Sequence, residues 1–584
     1  MKLARSWRFG CAFVALVLGG TGTVSAQAPL EAAQMPSNTA FYMLWRGAPS
    51  AEARKANSLF ALWDDANLAS GRQALLDNFL PGSDSKSKLS REELDEYLTL
   101  LENPFVVGYL SKPRSAATMA DSGNVASLEK TLPWNGMFFI YDRTGKEALL
   151  RKAVLRAGNE AKAPQVSQVT IGNVKGLKFQ RSSGVSYWVE NGKFAVGAEE
   201  RAVIEELLTR LAAKTAPTKS LGQVAAFREA KPLLGSGVLE FFARISNVEG
   251  LADESSVSGV KVGPMLSALK LESLHALAGH ITLEGSKTRI QGALLGNTSP
   301  GSFFDLWGDG QPAPATLSFV SAGAISYTSS QINFPGIYTL VKRMVHATFP
   351  QTQQGDTDLI DTLGQAKLGM PVTEALGLFT GEFAWVQTDP RMETSKQFYL
   401  LGIRKKPETL KLIHVLATDN ILTEKEEGGV DFLKLSLTNN NAATTNLEKN
   451  SWHMAVTDDV ILFGANRETL RKAIAGKTAN SSGGDMRSTA GYSAMRAQYP
   501  EKLNSLSFYN FGKVDWAGLK ERWIEESKKS STTNATTTKQ GTPSFPASDW
   551  LTQIEPEVFT RHLHFASGAS WKDATGILFE EWIE

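Results

Sequence analysis

His562 and His564 come nearest, by type and spacing, to a metal site in this chain. Two residues apart in a predicted strand, both imidazoles would leave one face, as zinc or iron coordination needs. No third histidine or predicted carboxylate lies beside them, and solvation or hydrogen bonding explains histidines on the polar face of a strand equally well. All seven histidines fall from His275 onward, so any histidine-based site belongs to the second half of the chain or to its border. His275 and His564 each follow a leucine, a shared position that packing explains more simply than catalysis.

Other candidate chemistry is weaker. Ala475-Gly476-Lys477-Thr478 resembles the end of a phosphate-binding loop, but Arg471 stands where that loop needs glycine, and the segment follows a helix rather than a strand. Ser127-Leu128-Glu129-Lys130 matches Ser-x-x-Lys without its companion motifs. The acid pairs Asp64-Asp65 and Asp458-Asp459 sit at a predicted helix end and turn, where aspartate serves capping. No catalytic residue and no cofactor emerges. Thirteen tryptophans, among them Trp45, Trp188, Trp385 and Trp452, read mostly as core. The alternative is a concave aromatic-lined sheet holding a glycan, a lipid or an extended peptide.

The chain opens with Lys2, Arg5 and Arg8 before an apolar run from Cys11 to Leu18 and a Val24-Ser25-Ala26 site. That pattern predicts a secretory signal, residues 1–26, cleaved between Ala26 and Gln27, and hence a periplasmic or secreted product. No later stretch reaches the roughly 20 apolar residues of a transmembrane helix. Cys11 is the single cysteine, so the mature chain is cysteine-free and its stability rests on packing. Lys plus Arg number 61 and Asp plus Glu 60, well mixed along the chain. Neither nucleic-acid binding nor a polybasic membrane-facing run has support in that pattern.

The elements that would position any site repeat along the chain. GKFAVGAEERAVIEELL, from Gly192, matches DDVILFGANRETLRKAIAG, from Asp458, setting Gly197 on Gly464. Leu149 likewise falls on Leu410, and Gly279 on Gly568. SNTAFYML at Ser37 and PATLSFVS at Pro314 read as the opening strands of the two copies. Each copy reads as βαββαβ, with Asn191-Gly192 marking a hairpin. The expected fold is therefore α+β: two tandem antiparallel-sheet units, each with a ferredoxin-like core plus extra strands and helices. The boundaries are 27–311 and 312–584, with a Ser/Thr-rich linker at 528–548 in the second unit.

The run Met35-Pro36-Ser37-Asn38-Thr39-Ala40-Phe41-Tyr42 resembles the start of an uncharacterised family of exported bacterial proteins with duplicated domains, which open with a Leu-Pro-Ala-Asp-Thr-like turn into an aromatic strand. The resemblance implies an envelope location and a doubled domain, and carries no activity with it. The resulting expectation is a non-catalytic envelope binding or scaffold protein, partnered by an envelope protein, a lipid or a glycan. The alternative is an exported hydrolase or metal-dependent enzyme with its site in the second unit.

Overall fold

The computed structural model describes residues 30–72, 91–111, 134–159, 165–181, 184–213, 217–235, 237–245, 256–257, 260–261, 267–349, 353–354, 357–417, 421–436, 451–478, 484–534 and 554–584. The predicted signal and the Ser127–Lys130 motif lie outside them.

The first half supplies β1 (Thr39–Trp45), β2 (Phe105–Ser111), β3 (Trp134–Asp142), β4 (Gln165–Ile171), β5 (Val174–Arg181), β6 (Gly184–Asn191), β7 (Phe194–Ala198), β8 (Leu239–Arg244), β9 (Leu274–Glu284) and β10 (Lys287–Gly296). The second supplies β11 (Ser326–Gln331), β12 (Phe379–Gln387), β13 (Gln397–Ile403), β14 (Ile421–Glu427), β15 (Val430–Ser436), β16 (Ser451–Val456), β17 (Val460–Gly464), β18 (Ser505–Asn510), β19 (Phe565–Lys572) and β20 (Gly576–Ile583). Between them run α1 (Ala51–Ala56), α2 (Ser58–Asp64), α3 (Arg91–Leu100), α4 (Glu147–Asn159), α5 (Arg201–Ala212), α6 (Ala225–Ala230), α7 (Phe334–Thr348), α8 (Leu359–Leu368), α9 (Val372–Gly377), α10 (Lys406–Leu416), α11 (Arg467–Thr478), α12 (Ala490–Arg496), α13 (Trp516–Asn534) and α14 (Glu557–His562).

Every pairing among these strands is antiparallel, and together they make one continuous sheet. In the first half the order is β4-β5-β6-β7-β3-β2-β1-β8-β9-β10. In the second it is β14-β15-β16-β17-β13-β12-β11-β18-β19-β20. The two orders are the same, strand for strand. The halves join where β10 pairs with β20, so the ladder has two ends, β4 and β14, among the described residues.

The junction has a pseudo-two-fold register. Gly279 pairs with Gly292 in the first half, and Gly568 with Glu581 in the second, which makes Gln291 and Glu580 corresponding positions. These two residues are also each other's partners across the junction, with Gly292 opposite Phe579 and Ile290 opposite Glu581. Each half thus presents the same edge strand to the other, as the subunits of an isologous dimer do.

Class and order depart from the sequence reading in particular places. The α+β class stands, with helices packed on antiparallel strands. The closing strand β8 does not pair with β3, because β1 and β2 lie between them. Gly197 and Gly464 differ by one step: Gly197 lies under the Trp188 ring, whereas Gly464 backs onto Phe398 of the buried core. Both short strands share one burial pattern, and that pattern sets Ala198 on Gly464. A one-residue slip moves every side chain to the other face, which a short sequence match cannot detect. PATLSFVS is not a strand. Ala315–Phe319 forms a 3-10 turn, and the first strand of the second half begins at Ser326. The turn is held by Glu382, whose carboxylate accepts from the amides of Ala315 (2.9 Å) and Thr316 (2.8 Å). Helix α13 continues to Asn534, into the stretch read as a linker, and 535–548 lies outside the described residues.

One sheet face is buried throughout. Tyr42, Val106, Ile140, Val196, Phe242 and Ala278 pack beneath Ile204 and Leu207 of α5 and Phe227 of α6. Tyr327, Ala384, Phe398, Leu462 and Leu506 pack beneath Leu470 of α11 and Tyr492 and Met495 of α12. Helices α4 and α10 cover parts of the opposite face through Leu150 and Ala153, and through Leu410 and Ile413. The middle of that face remains half-exposed.

Candidate functional site

On this second face the strands place alternate side chains outward, the period-two consequence of an extended backbone. From the first half come Met43, Val107, Tyr109, Phe139 and Phe241, all half-buried, and Met137, which is exposed. From the second come Phe383, Trp385, Tyr399, Trp452 and Phe463, again half-buried. Tyr399 stacks on Phe463 at 5.1 Å between ring centres, and lies 6.0 Å from both Phe383 and Trp452. In the first half Phe139 stacks with Tyr141 at 6.2 Å and with Trp188 at 6.3 Å, two rings that are themselves buried with Leu150 and Ala153 of α4.

Between the two aromatic groups the floor is small and hydroxyl-rich. Ser330, Ser505 and Ser570 form one cross-strand row, and Thr328, Ser507 and Gly568 the next. Toward the junction Gly279 and Gly292 leave room for the Phe241 and Phe579 rings to lie against the sheet; a β-carbon there would stand 2.7 Å and 2.3 Å from them. Counted across the strands from β3 to β13, the face extends about 50 Å at the usual strand spacing. It is a long open surface, not an enclosed pocket.

The buried face carries a polar row at the same place. Glu240, His280, Gln291 and Glu580 are successive cross-strand partners on β8, β9, β10 and β20. Glu240 is 7% exposed, His280 7% and Glu580 4%. Arg46 pairs with Glu240, and the His280 ring contacts the Leu233 carbonyl oxygen. Glu580 accepts from Arg289 at 2.8 Å, from the Trp582 indole at 2.6 Å and from Gln291, while the Arg289 guanidinium lies 4.8 Å over the Trp582 ring. The two carboxylates stand three strand steps apart, about 14 Å, well beyond the roughly 5 to 9.5 Å at which paired carboxylates hydrolyse glycosides.

Burial pushes the Glu240 carboxyl above its ordinary value, against the pull of Arg46 and His280. A carboxyl whose folded value is raised adds stability while protonated and loses it as pH climbs through that raised value. Wild type should therefore lose ground to Glu240→Gln as pH rises from the ordinary carboxylate range toward neutrality. Urea unfolding of both proteins at several pH values checks this, and a pH-independent difference would refute it.

The residues singled out from sequence fall elsewhere. His562 ends α14 and His564 precedes β19, so they do not share a strand face. Pro556 and Glu557 start a helix that carries the backbone through His562, and extended structure resumes at Phe565. His562 meets Asp65 of the first half at 2.9 Å, beside an Arg561 to Asp65 ion pair at 2.5 Å. Burial raises the Asp65 carboxyl, but His562, the Asn67 amide and Arg561 together hold it below its ordinary value. His562 and Asp65 are thus occupied in a tie between the halves. No group of three or more His, Cys, Asp or Glu side chains that could hold a metal ion gathers among the described residues. Asp64 pairs with Arg54, and Asp459 with Lys477 of the Gly-Lys-Thr segment, at the end of α11. His275 faces Glu229 at 3.4 Å.

No family model, curated protein or solved structure matches the chain. The resemblance to exported proteins with duplicated domains therefore rests on Met35 to Tyr42 alone. An aromatic-lined sheet was raised from sequence as the alternative reading of tryptophans such as Trp385 and Trp452, whereas the buried polar row was not singled out. Alternating aromatics such as Phe383 and Trp385 were the available signal, but alternation alone does not say which face a helix covers. Nothing in sequence joins Gln291 to Glu580.

Proposed function

We propose that this is an exported envelope protein that binds an elongated amphiphilic ligand, a lipid with a polar or glycan portion, along its open sheet face. One observation carries the reading: two half-exposed aromatic groups flank a floor of serine, threonine and glycine on a single sheet. Aromatic and aliphatic side chains offer an acyl chain apolar contact, and the hydroxyl rows offer its polar portion hydrogen bonds. The face reads as a binding surface: its side chains are apolar or hydroxylic apart from the exposed Glu581 beside Gly568, and Glu240 and Glu580 are committed to arginines behind the sheet. The halves are further read as copies of one unit, supported by their common strand order and by the Gln291 to Glu580 register.

Titrating the purified chain with envelope lipid extract and with oligosaccharides, by calorimetry, tests the proposal. Aromatic contacts are worth about 0.5–1.5 kcal/mol each beyond area, so Trp385→Ala with Tyr399→Ala should weaken lipid binding about ten-fold. Unchanged affinity in that variant, or no heat with any lipid, would end the proposal. Binding to oligosaccharide alone would replace the lipid by a glycan.

A further inference from the structure

Among the described residues, no helix is long and apolar enough to cross a membrane. A different feature stands on the helices of the second half. Leu359 and Leu363 of α8 are 38% and 69% exposed, and Ala366 beyond them is exposed too. Their spacing of four and then three residues puts them on one stripe of the helix. Leu416, at the end of the adjoining α10, is 58% exposed, and Val341 of α7 is 45% exposed. A soluble surface does not ordinarily gather large aliphatic side chains on neighbouring helices.

The stripe is held outward by ion pairs behind it. Lys342 of α7 reaches Asp358 at the start of α8 and Asp361 in its first turn, each at 2.6 Å. His346 meets Asp358 at 3.1 Å, and Tyr338 donates to Asp361. Asp361 therefore faces α7, and Leu359 and Leu363 lie on the far side of α8. The exposed cations nearby are Lys367 on α8, and Lys411 with the preceding Arg404 and Lys405 on and before α10. Among the described residues of these helices Glu374 is exposed, and so is the Asp361 carboxylate, which Lys342 offsets. Exposed apolar side chains with long cationic ones on the same and the adjoining helix match the interface of an anionic bilayer, where alkyl stems bury and ammonium groups meet phosphates.

We infer that α8, with the end of α10, docks this protein on an anionic lipid surface, lying in the headgroup plane without crossing it. The inference is independent of what the open sheet face holds, and its residues are different ones. It would bring a lipid-binding face to its source.

Co-sedimentation of the full chain with vesicles tests it. Vesicles of phosphatidylcholine alone are compared with vesicles containing roughly one-third phosphatidylglycerol. The chain should sediment with the anionic vesicles and be released by salt. Leu359→Ser with Leu363→Ser should lower the bound fraction about ten-fold, and Lys367→Glu with Lys411→Glu should abolish the preference for anionic lipid. These side chains are exposed or nearly so, and an unchanged thermal melt confirms that the variants fold. Absence of sedimentation, or equal sedimentation of the leucine variant, overturns the inference. So does a concentration-dependent dimer that the leucine variant abolishes in the absence of vesicle binding, since the stripe would then belong to a second copy.

Discussion

Glu580→Ala should destabilise the protein by about 3 kcal/mol, because it leaves the Trp582 indole and the Gln291 amide without their acceptor and takes from Arg289 the nearer of its two carboxylates. The loss comes mainly from the buried indole and amide left without an acceptor, since Arg289 is 29% exposed and keeps Glu284 at 3.5 Å. Glu580→Gln, which keeps a carbonyl oxygen for the same donors, should cost about 1 kcal/mol. Adding Arg289→Leu to Glu580→Ala should recover part of the loss, since no cation then stands beside the emptied site. Guanidinium unfolding followed by tryptophan fluorescence checks all three. An alanine variant as stable as wild type would mean that the polar row does not hold the junction.

Gly576→Val should cost about 4 kcal/mol. Gly576 sits at φ +151, outside the ordinary range of residues with a β-carbon, and such a carbon would stand 2.0 Å from the Leu294 carbonyl oxygen. That oxygen is backbone on β10, so the clash is relieved only by parting β10 from β20, where Leu295 and Gly576 are partners. Gly172→Ala is the control. Gly172 has φ +58 with nothing within 4 Å of the added carbon, and left-handed strain alone should cost about 1 kcal/mol. Equal losses in the two variants would show that the clash at the junction is not the cause. Amide exchange should localise the loss in Gly576→Val to β10 and β20.

Particular residues show what was readable. Asn191-Gly192 announced the β6 to β7 turn, because only a few residue types accept the positive φ that Gly192 adopts at +56. The run from Gly192 that matched the run from Asp458 carries Val203, Ile204 and Leu207, whose helical spacing makes them the buried face of α5. His562 was misread, because a strand with histidines at alternate positions and a helix end followed by an extended turn look alike over three residues. The one-step error at Gly464 has the same origin: apolar residues on consecutive positions satisfy either register. The even mixing of charge along the chain says little about Lys367 and Lys411, which are distant in sequence and lie on neighbouring helices because α8 packs on α10.

By itself, the sequence determined local conformation: the alternation that makes strands, the spacing that makes helices, the glycine turns, and an α+β class with similar patterns on both sides of about position 312. These follow from interactions among residues a few positions apart, which the chain carries wherever it lies. Tertiary structure decided that the last strand of each half pairs with that of the other, that Glu240, His280, Gln291 and Glu580 form one buried row, and that the aromatic face opposite stays half-open. Those outcomes depend on which backbone edges and faces meet across hundreds of residues. Hydrogen-bond donors and acceptors on an edge strand are the same whatever side chains it bears, so only packing against the rest of the molecule selects the partner.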